Sequence, residues 1–301
     1  MQPTNMTYQI YKNSEDFQLW PIDEVKFVEI LHGLSKYDKD VTTEVFMSKD
    51  SKFTLQGFLT AKVKDDKGVI TFIFVSKEFR KQGMGRKLMN QALEFFKAEG
   101  VKKIYVGAKI GSYFWPGIPK NLNCEKFFEK FGFEVKDEGL VDMYQDISNY
   151  IPPTGAYDAL TKENVNIAYA TEESGQKILE FAKVNFPNWY DYYKNHIDNG
   201  EFENVFYASI NDEVVGVSVL WQNDCNWKIL FENNVGGGGA LGVAEKWQGK
   251  SIGLAMKSWG TERIKEKGIK YVWISWTYAI DFYKKLGFEV WREYFMGKKT
   301  I

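Results

Sequence analysis

VSKEFRKQGMGRKLMNQALEFFKAEGVKKIYV, residues 75–106, and VAEKWQGKSIGLAMKSWGTERIKEKGIKYVWI, residues 243–274, align without a gap at an offset of 168 residues. Gly85 meets Gly253, Glu94 meets Glu262, Gly100 meets Gly268 and Lys102 meets Lys270. Each copy reads as the end of an apolar strand, a short polar loop containing glycine, and a helix with apolar residues every three or four positions. The chain therefore repeats, and whatever the loop does is offered twice. Gly100 and Gly268 close their helices, where a left-handed residue is the usual stop, and call for no function. Gly83, Gly85 and Gly253 stand instead at helix entrances. A helix start leaves several N–H groups unpaired and carries about half a positive charge, so a loop bare of side chains lets a phosphate reach those amides.

The elements around the two copies follow one order. In the first half KFVEILHGLSKYD (26–38) predicts an amphipathic helix, TTEVFMSKD (42–50) and FTLQGFLTAKV (53–63) predict strands, DDKG (65–68) a tight turn, and VITFIFV (69–75) a nearly continuous apolar strand. In the second, ESGQKILEFAKVNF (173–186) predicts the helix, and NVFYASI and VVGVSVLW flank Asn211-Asp212 as a hairpin. A glycine-rich approach then leads into Ala240-Leu241-Gly242-Val243. Between the halves, NYIPPTGAYDALTKENV (149–165) carries Pro152, Pro153 and Gly155 and little apolar periodicity, which predicts a linker. The expected organisation is a first domain over 1–149, a linker over 150–164 and a second domain over 165–301.

Composition narrows what such a protein does. The 301 residues suit two domains at roughly 150 residues each. With 44% hydrophobic and 26% charged residues and a net charge of −1, the chain reads as a folded soluble protein without a general pull toward nucleic acid or anionic membrane. MQPTNMTYQIYKN at the start lacks the apolar core of a secretory signal and no later run suggests a membrane span, so a cytoplasmic location is the default. Cys124 and Cys225 lack metal-ligand spacing and read as reduced thiols. His32 and His196 stand beside no second His, Cys pair or nucleophilic Ser, which speaks against zinc hydrolases and Ser-His-Asp hydrolases; no metal is expected.

Strand, then R/QxxGxG/A, then helix resembles the acetyl-CoA pyrophosphate loop of the GNAT acetyltransferases. It is matched by Arg80-Lys81-Gln82-Gly83-Met84-Gly85 and, with Ser where Gly is usual, by Gln248-Gly249-Lys250-Ser251-Ile252-Gly253. A helix ending in GF before the next strand, a later landmark of the family, is matched by FFEKFGFEV (127–135) and FYKKLGFEV (282–290). The loop follows the fourth strand of each half, as in that family, and not the first strand as a dinucleotide fingerprint would. The resemblance implies an α/β (α+β) fold of two tandem GNAT-like domains, each a mixed, mostly antiparallel sheet flanked by helices, with two central strands splayed apart. It implies acetyl-CoA as co-substrate, its pantetheine arm along the backbone of Ile73, Phe74 and Val75 in one half and Leu241, Gly242 and Val243 in the other.

The family reaction, attack of an amine on the thioester, needs a deprotonated amine, a donor for the oxyanion and an acid for the departing thiolate. In the family that acid is commonly a Tyr on the helix before GF. The second half has Tyr283 there; the first has Phe128, which donates no proton. This makes the second domain the expected seat of catalysis. Glu232, on an expected strand before GGGG, and Asp281 are candidates for the base. SYFWPGIP (112–119), and ISWT followed by DFYKKLGF, resemble tandem GNAT proteins found in some bacteria fused to sugar hydrolases, which suggests an amino-sugar acceptor with Trp115, Trp189, Trp273 and Trp276 as stacking platforms. Two other readings stay open: a non-catalytic acyl-CoA-binding or sensor module, since Phe128 and Ser251 each alter one copy, and an aminoacyl-tRNA-dependent tandem transferase, against which the missing basic excess speaks. The expected partner is a small-molecule amine, with neither nucleic acid nor membrane; the sequence leaves oligomeric state open.

Overall fold

In the computed structural model the described residues are 3–50 and 54–301; Phe53, with which the second expected strand begins, and the first two residues of the N-terminal stretch lie outside them. Helices α1 (Pro3–Lys12), α2 (Glu15–Leu19) and α3 (Glu24–Leu31) lead into strands β1 (Thr42–Lys49), β2 (Leu55–Lys64) and β3 (Lys67–Val75). Then come α4 (Met84–Ala98), β4 (Lys103–Val106), the two-residue β5 (Ile118–Pro119), α5 (Glu125–Glu129) and β6 (Glu134–Asp146). The second series runs α6 (Asp158–Lys162), β7 (Asn166–Tyr169), α7 (Glu172–Asn185), α8 (Tyr190–Asp198), β8 (Val205–Ile210), β9 (Glu213–Gln222), β10 (Val235–Val243), α9 (Ile252–Glu266), β11 (Tyr271–Thr277), α10 (Ile280–Lys284) and β12 (Glu289–Thr300). No helix among the described residues is long and apolar enough to cross a membrane.

Compactness groups residues up to Val141 with Arg292–Ile301, and Asp142–Trp291 by themselves. The first unit carries strands in the order β1-β2-β3-β4-β12. Gly297–Thr300 run antiparallel to Val106–Lys103, so β12 supplies the strand beyond β4. The second unit carries the end of β6, from Asp142, followed by β11-β10-β9-β8-β7. Contact and repetition thus divide the chain differently, because the β12 residues after Trp291 follow the second repeat in sequence and complete the first unit in space.

Both units are mixed sheets: β3–β4 and β10–β11 run parallel, while β1–β2, β2–β3, β4–β12, β7–β8, β8–β9 and β9–β10 run antiparallel. Helix α4 buries Leu88, Met89, Ala92 and Phe96, its three-to-four-residue stripe, against Leu59, Ala61 and Ile70 of the sheet. Helix α7 opens with a capping box in which Thr171 and Ser174 satisfy each other's backbone N–H groups, and buries Ile178, Leu179 and Ala182.

Several local expectations are corrected. The helix read over 26–38 stops at Leu31: Gly33 turns left-handed at φ +65°, and the chain re-enters as a 3₁₀ turn over Lys36–Asp38. In the first unit the glycine loop follows the third described strand rather than the fourth, because β7 has no counterpart there. The expected linker holds α6, where Lys162 pairs with Asp158 one turn away and Ala159 is buried. The hydroxyl of Tyr157, just before α6, donates to Glu262 on α9.

The longer connection after β4 is held by buried charge. Lys62 on β2 is fully buried, and its Nζ donates to Asp38 Oδ1 at 2.6 Å and to the Ser112 carbonyl and Oγ at 2.8 Å each. Ser112 donates in turn to Asp38 from its backbone N–H at 3.0 Å and from its hydroxyl at 2.5 Å. This knot places Trp115, which stacks on Phe72 with ring centres 5.0 Å apart.

Candidate functional site

The two glycine loops have the same construction. After β3 or β10 comes a 3₁₀ turn, Lys77–Phe79 or Glu245–Trp247. The next side chain bends back to the strand it has left: Arg80 Nε donates to the Val75 carbonyl at 2.8 Å, and Gln248 Nε2 to the Val243 carbonyl at 3.1 Å. Arg and Gln alternate here because each has an N–H that reaches this carbonyl, so in both loops the side chain braces the turn. Two left-handed residues follow, Lys81 (φ +61°) and Gly83 (φ +88°) in one loop and Gly249 (φ +77°) and Ser251 (φ +61°) in the other. Each loop spends one glycine on one of two left-handed positions. The Ser251 departure is thereby matched by Gly249 opposite Lys81, and both loops keep the same path.

Nothing lies within 4 Å of where a Cβ on Gly83 or Gly249 would stand, so the loop faces are open. The first helical bonds run from Lys87 N–H to Gly83 and from Ala255 N–H to Ser251, and neither Gly83 nor Ser251 caps its helix with a side chain. The amides of the first turn, at Met84-Gly85 and Ile252-Gly253, therefore keep their donors. Lys250, between Gly249 and Ser251, lies over the Trp247 ring and pairs with Glu163 at 2.6 Å.

Gly85 answers to packing rather than to backbone conformation. A Cβ there would meet the Phe127 ring at 3.1 Å, whereas at Gly253 the matching Phe282 ring stands 3.7 Å away. We expect Gly85→Ala to destabilise the first unit by about 1–3 kcal/mol as overpacking. Gly253→Ala should be neutral or stabilising by up to about 1 kcal/mol. Urea unfolding of the pair checks this, and equal effects would remove the packing explanation.

Beside each loop the sheet parts. β3 and β4 pair in parallel only from Lys67–Lys103 to Ile70–Val106, with one further bond from Gly107 N–H to the Ile70 carbonyl. Past that point Ile73, Phe74 and Val75 line a cavity of about 780 Å³ that reaches Lys81, Gly83 and Gly85. In the second unit β10 and β11 pair from Val235–Tyr271 to Gly237–Trp273, and β10 then continues alone on that edge through Leu241, Gly242 and Val243. Both central strands carry a bulge just past the parting, at Thr71 in β3 and between Gly239 and Gly242 in β10. The β10 bulge turns Ala240 to φ +49°, and the Tyr193 hydroxyl donates to its carbonyl. A Cβ on Gly242 would strike the Phe186 ring at 2.5 Å, so glycine is required there for close approach.

Tyr283 lies half-buried on α10, edge-on to Phe282 at 5.1 Å and to Phe288 at 5.6 Å. Burial pushes its hydroxyl up to about 12, so it stays protonated at neutral pH. Phe128 repeats the arrangement in the first unit, 5.4 Å from Phe127 and 5.9 Å from Phe133. Lys257, which the sequence reading passed over, is buried against the Tyr283 and Phe288 rings. The other candidates are scattered. Glu232 is not on a strand but left-handed after a 3₁₀ turn, exposed, and bonded by Lys270 and Tyr271, which hold its carboxyl below the usual range. It stands before the start of β10 with its carboxylate already engaged by Lys270 and Tyr271, so it does not line the parted strands. Asp281 is exposed in the first turn of α10. Trp115 gives one face to Phe72, Trp189 stacks on Phe186 at 5.3 Å, and Trp273 is edge-on to Trp221. Trp276 is left-handed at φ +58°, its N–H held by buried Asp142 at 2.9 Å.

A parted parallel pair beside a bare helix-start loop, built twice, is the architecture of an acetyltransferase fold. The sequence profile of the acetyltransferase (GNAT) family matches residues 11–133 and 168–288, and the chain belongs to that family. No curated protein matches it. Among solved structures it is similar to a GCN5-related glucosamine N-acetyltransferase region of a fungal multi-domain GH3 beta-N-acetylglucosaminidase, with a TM-score of 0.88 and 24% identity, covering 98% of this chain and 37% of that one. The present chain thus spans little more than a third of that protein's length. It is also similar to a tandem GNAT protein from the clavulanic acid biosynthesis pathway (TM-score 0.66, 12% identity, covering 99% and 93%) and to a GCN5-related N-acetyltransferase from Sphaerobacter thermophilus (TM-score 0.69, 13% identity, covering 100% and 94%). At these identities the likeness is one of fold, and the fold is a tandem GNAT α/β fold of mixed sheets flanked by helices.

Proposed function

We propose that the protein is an acetyl-CoA-dependent N-acetyltransferase that moves an acetyl group to the primary amine of a small molecule in the cytoplasm, with an amino sugar as the substrate class and the chemistry in the second unit. The observation that carries the assignment is the exchange of Tyr283 for Phe128 in otherwise matching ring settings. In this reading the halves 1–149 and 165–301 are repeated domains joined by 150–164. The loops Arg80–Gly85 and Gln248–Gly253 take the pyrophosphate, and Ile73–Val75 and Leu241–Val243 take the pantetheine arm. The open first-turn amides and the unpaired strand edges support it. Acetyl-CoA supplies the activated acetyl group. The acceptor amine attacks the thioester carbonyl, and Tyr283, protonated throughout the working range, gives its proton to the departing thiolate. The amino-sugar class is supported by Trp273 and Trp276 on β11 and by the glucosamine activity named for the fungal region. The first unit, with Phe128 in place of an acid, holds acetyl-CoA without turning it over.

Incubation with acetyl-CoA and a panel of amines that includes glucosamine, followed by release of free thiol, is expected to show turnover on the amino sugar. Calorimetry with acetyl-CoA should show loss of binding in the matching unit for Gly85→Glu and Gly253→Glu, which put bulk and negative charge against the amides. Normal binding by both variants would contradict the phosphate-loop reading.

A further inference from the structure

The two units differ together at two positions that face each other, one buried and one half-buried. In the second unit Lys257 on α9 is only 4% exposed, and its Nζ lies 5.2 Å from the centre of the Phe288 ring and 5.9 Å from that of Tyr283. The same Nζ is 3.4 Å from the point a Cβ on Gly238 would occupy. Gly238 is the first β10 residue beyond the final ladder pair with β11, so the amine sits at the apex of the parted strands. Among the described residues it meets rings there rather than a carboxylate, and burying an amine without such a partner is costly. In the first unit, at the repeat offset, the position holds Met89, fully buried with Phe128 and Phe133. The fold therefore accepts an apolar side chain at this place. Amine and hydroxyl are present together in one copy and absent together in the other.

We propose that Lys257 is a positioning residue for Tyr283, its ammonium holding the phenolate charge left when Tyr283 protonates the departing CoA thiolate. The inference rests on the reading that places chemistry in the second unit. As the acceptor nitrogen bonds to the acetyl carbon, the carbon–sulfur bond breaks and sulfur takes the Tyr283 proton. The phenolate then waits for the proton that the acylated nitrogen releases through water. An ammonium 5.9 Å from the ring centre, screened by protein rather than bulk water, favours that phenolate. From α10 the titratable group facing Lys257 is Tyr283; Phe288 and Gly238 bring no charge, and burial alone lowers the amine, to about 7. With Tyr283 at about 12, a loss of activity as pH rises through neutrality reports the lysine and not the tyrosine.

The test uses Lys257→Met, the residue the first unit already carries, in the full chain. At about pH 6.5, where the lysine is mostly charged, kcat is expected to fall about 100-fold with KM for acetyl-CoA within about twofold. The falling limb of the pH profile near neutrality should vanish, and the double variant with Tyr283→Phe should be no slower than Tyr283→Phe alone. Unchanged kcat and pH profile in Lys257→Met, beside an impaired Tyr283→Phe, would overturn this inference and leave second-unit chemistry standing. A fully active Tyr283→Phe would overturn both. The melting temperature of Lys257→Met at the same pH should equal or exceed the parent's; a fall of several degrees would show that the lysine serves the fold, and would also overturn the proposal.

Discussion

Asp38→Ala is expected to destabilise the first unit by about 3–5 kcal/mol, because it leaves the Lys62 ammonium buried with only Ser112 to receive its protons. Lys62→Met should cost a similar amount by stranding the carboxylate. Both side chains of the pair are fully buried, so water cannot replace the lost partner. The double variant Lys62→Met with Asp38→Leu removes both charges and should recover most of the loss, since an apolar pair of similar volume often matches a buried ion pair. Urea unfolding followed by tryptophan fluorescence reports on this unit through Trp20 and Trp115, which lie edge-on at 5.6 Å. Single variants costing less than about 1 kcal/mol would show that the knot is not what holds the connection after β4. Gly111 belongs to the same device: it is left-handed at φ +60°, and a Cβ there would stand 2.0 Å from Asp38 Oδ1.

Tyr283→Phe is expected to lower kcat by about 10²–10⁴-fold, the usual contribution of a positioned proton donor, with little change in KM for acetyl-CoA. The substitution removes one oxygen from a ring setting that the first unit builds with phenylalanine, so packing offers no competing explanation for the loss. The hydroxyl stays protonated up to about 12, so ionisation of this group should cost the parent no activity below that pH. The converse change, Phe128→Tyr, should confer no turnover on the first unit, where Met89 stands in place of Lys257. Full activity in Tyr283→Phe would move the chemistry elsewhere.

The repeat, both loops and the strand-loop-helix order were legible because they depend on local needs: apolar period, left-handed turns, glycine where a backbone must stay bare. The Ser251 departure was visible in sequence too, but its compensation by Gly249 becomes plain only once φ shows which positions are left-handed. Gly85 was read as a bare backbone position, whereas its nearest constraint is the Phe127 ring, a non-local contact. Helix α6 escaped because five residues are too short for a period of 3.6 to show. Glu232 was placed on a strand by its neighbours, yet it and Asn233 both turn left-handed. Lys257 stood opposite Met89 in the gapless alignment, a charge facing an apolar residue at a core position of the helix, and that mismatch was readable in the sequence. The pairing of β12 with β4 left no trace, since alternation announces a strand without naming its neighbour.

That pairing makes closure of the first unit a long-range event. Residues 142–291 are contiguous, whereas the first unit keeps one flank of β4 uncovered until Arg292–Ile301 return to it. A chain cut just before Arg292 is therefore expected to present an open strand edge on which another copy can template.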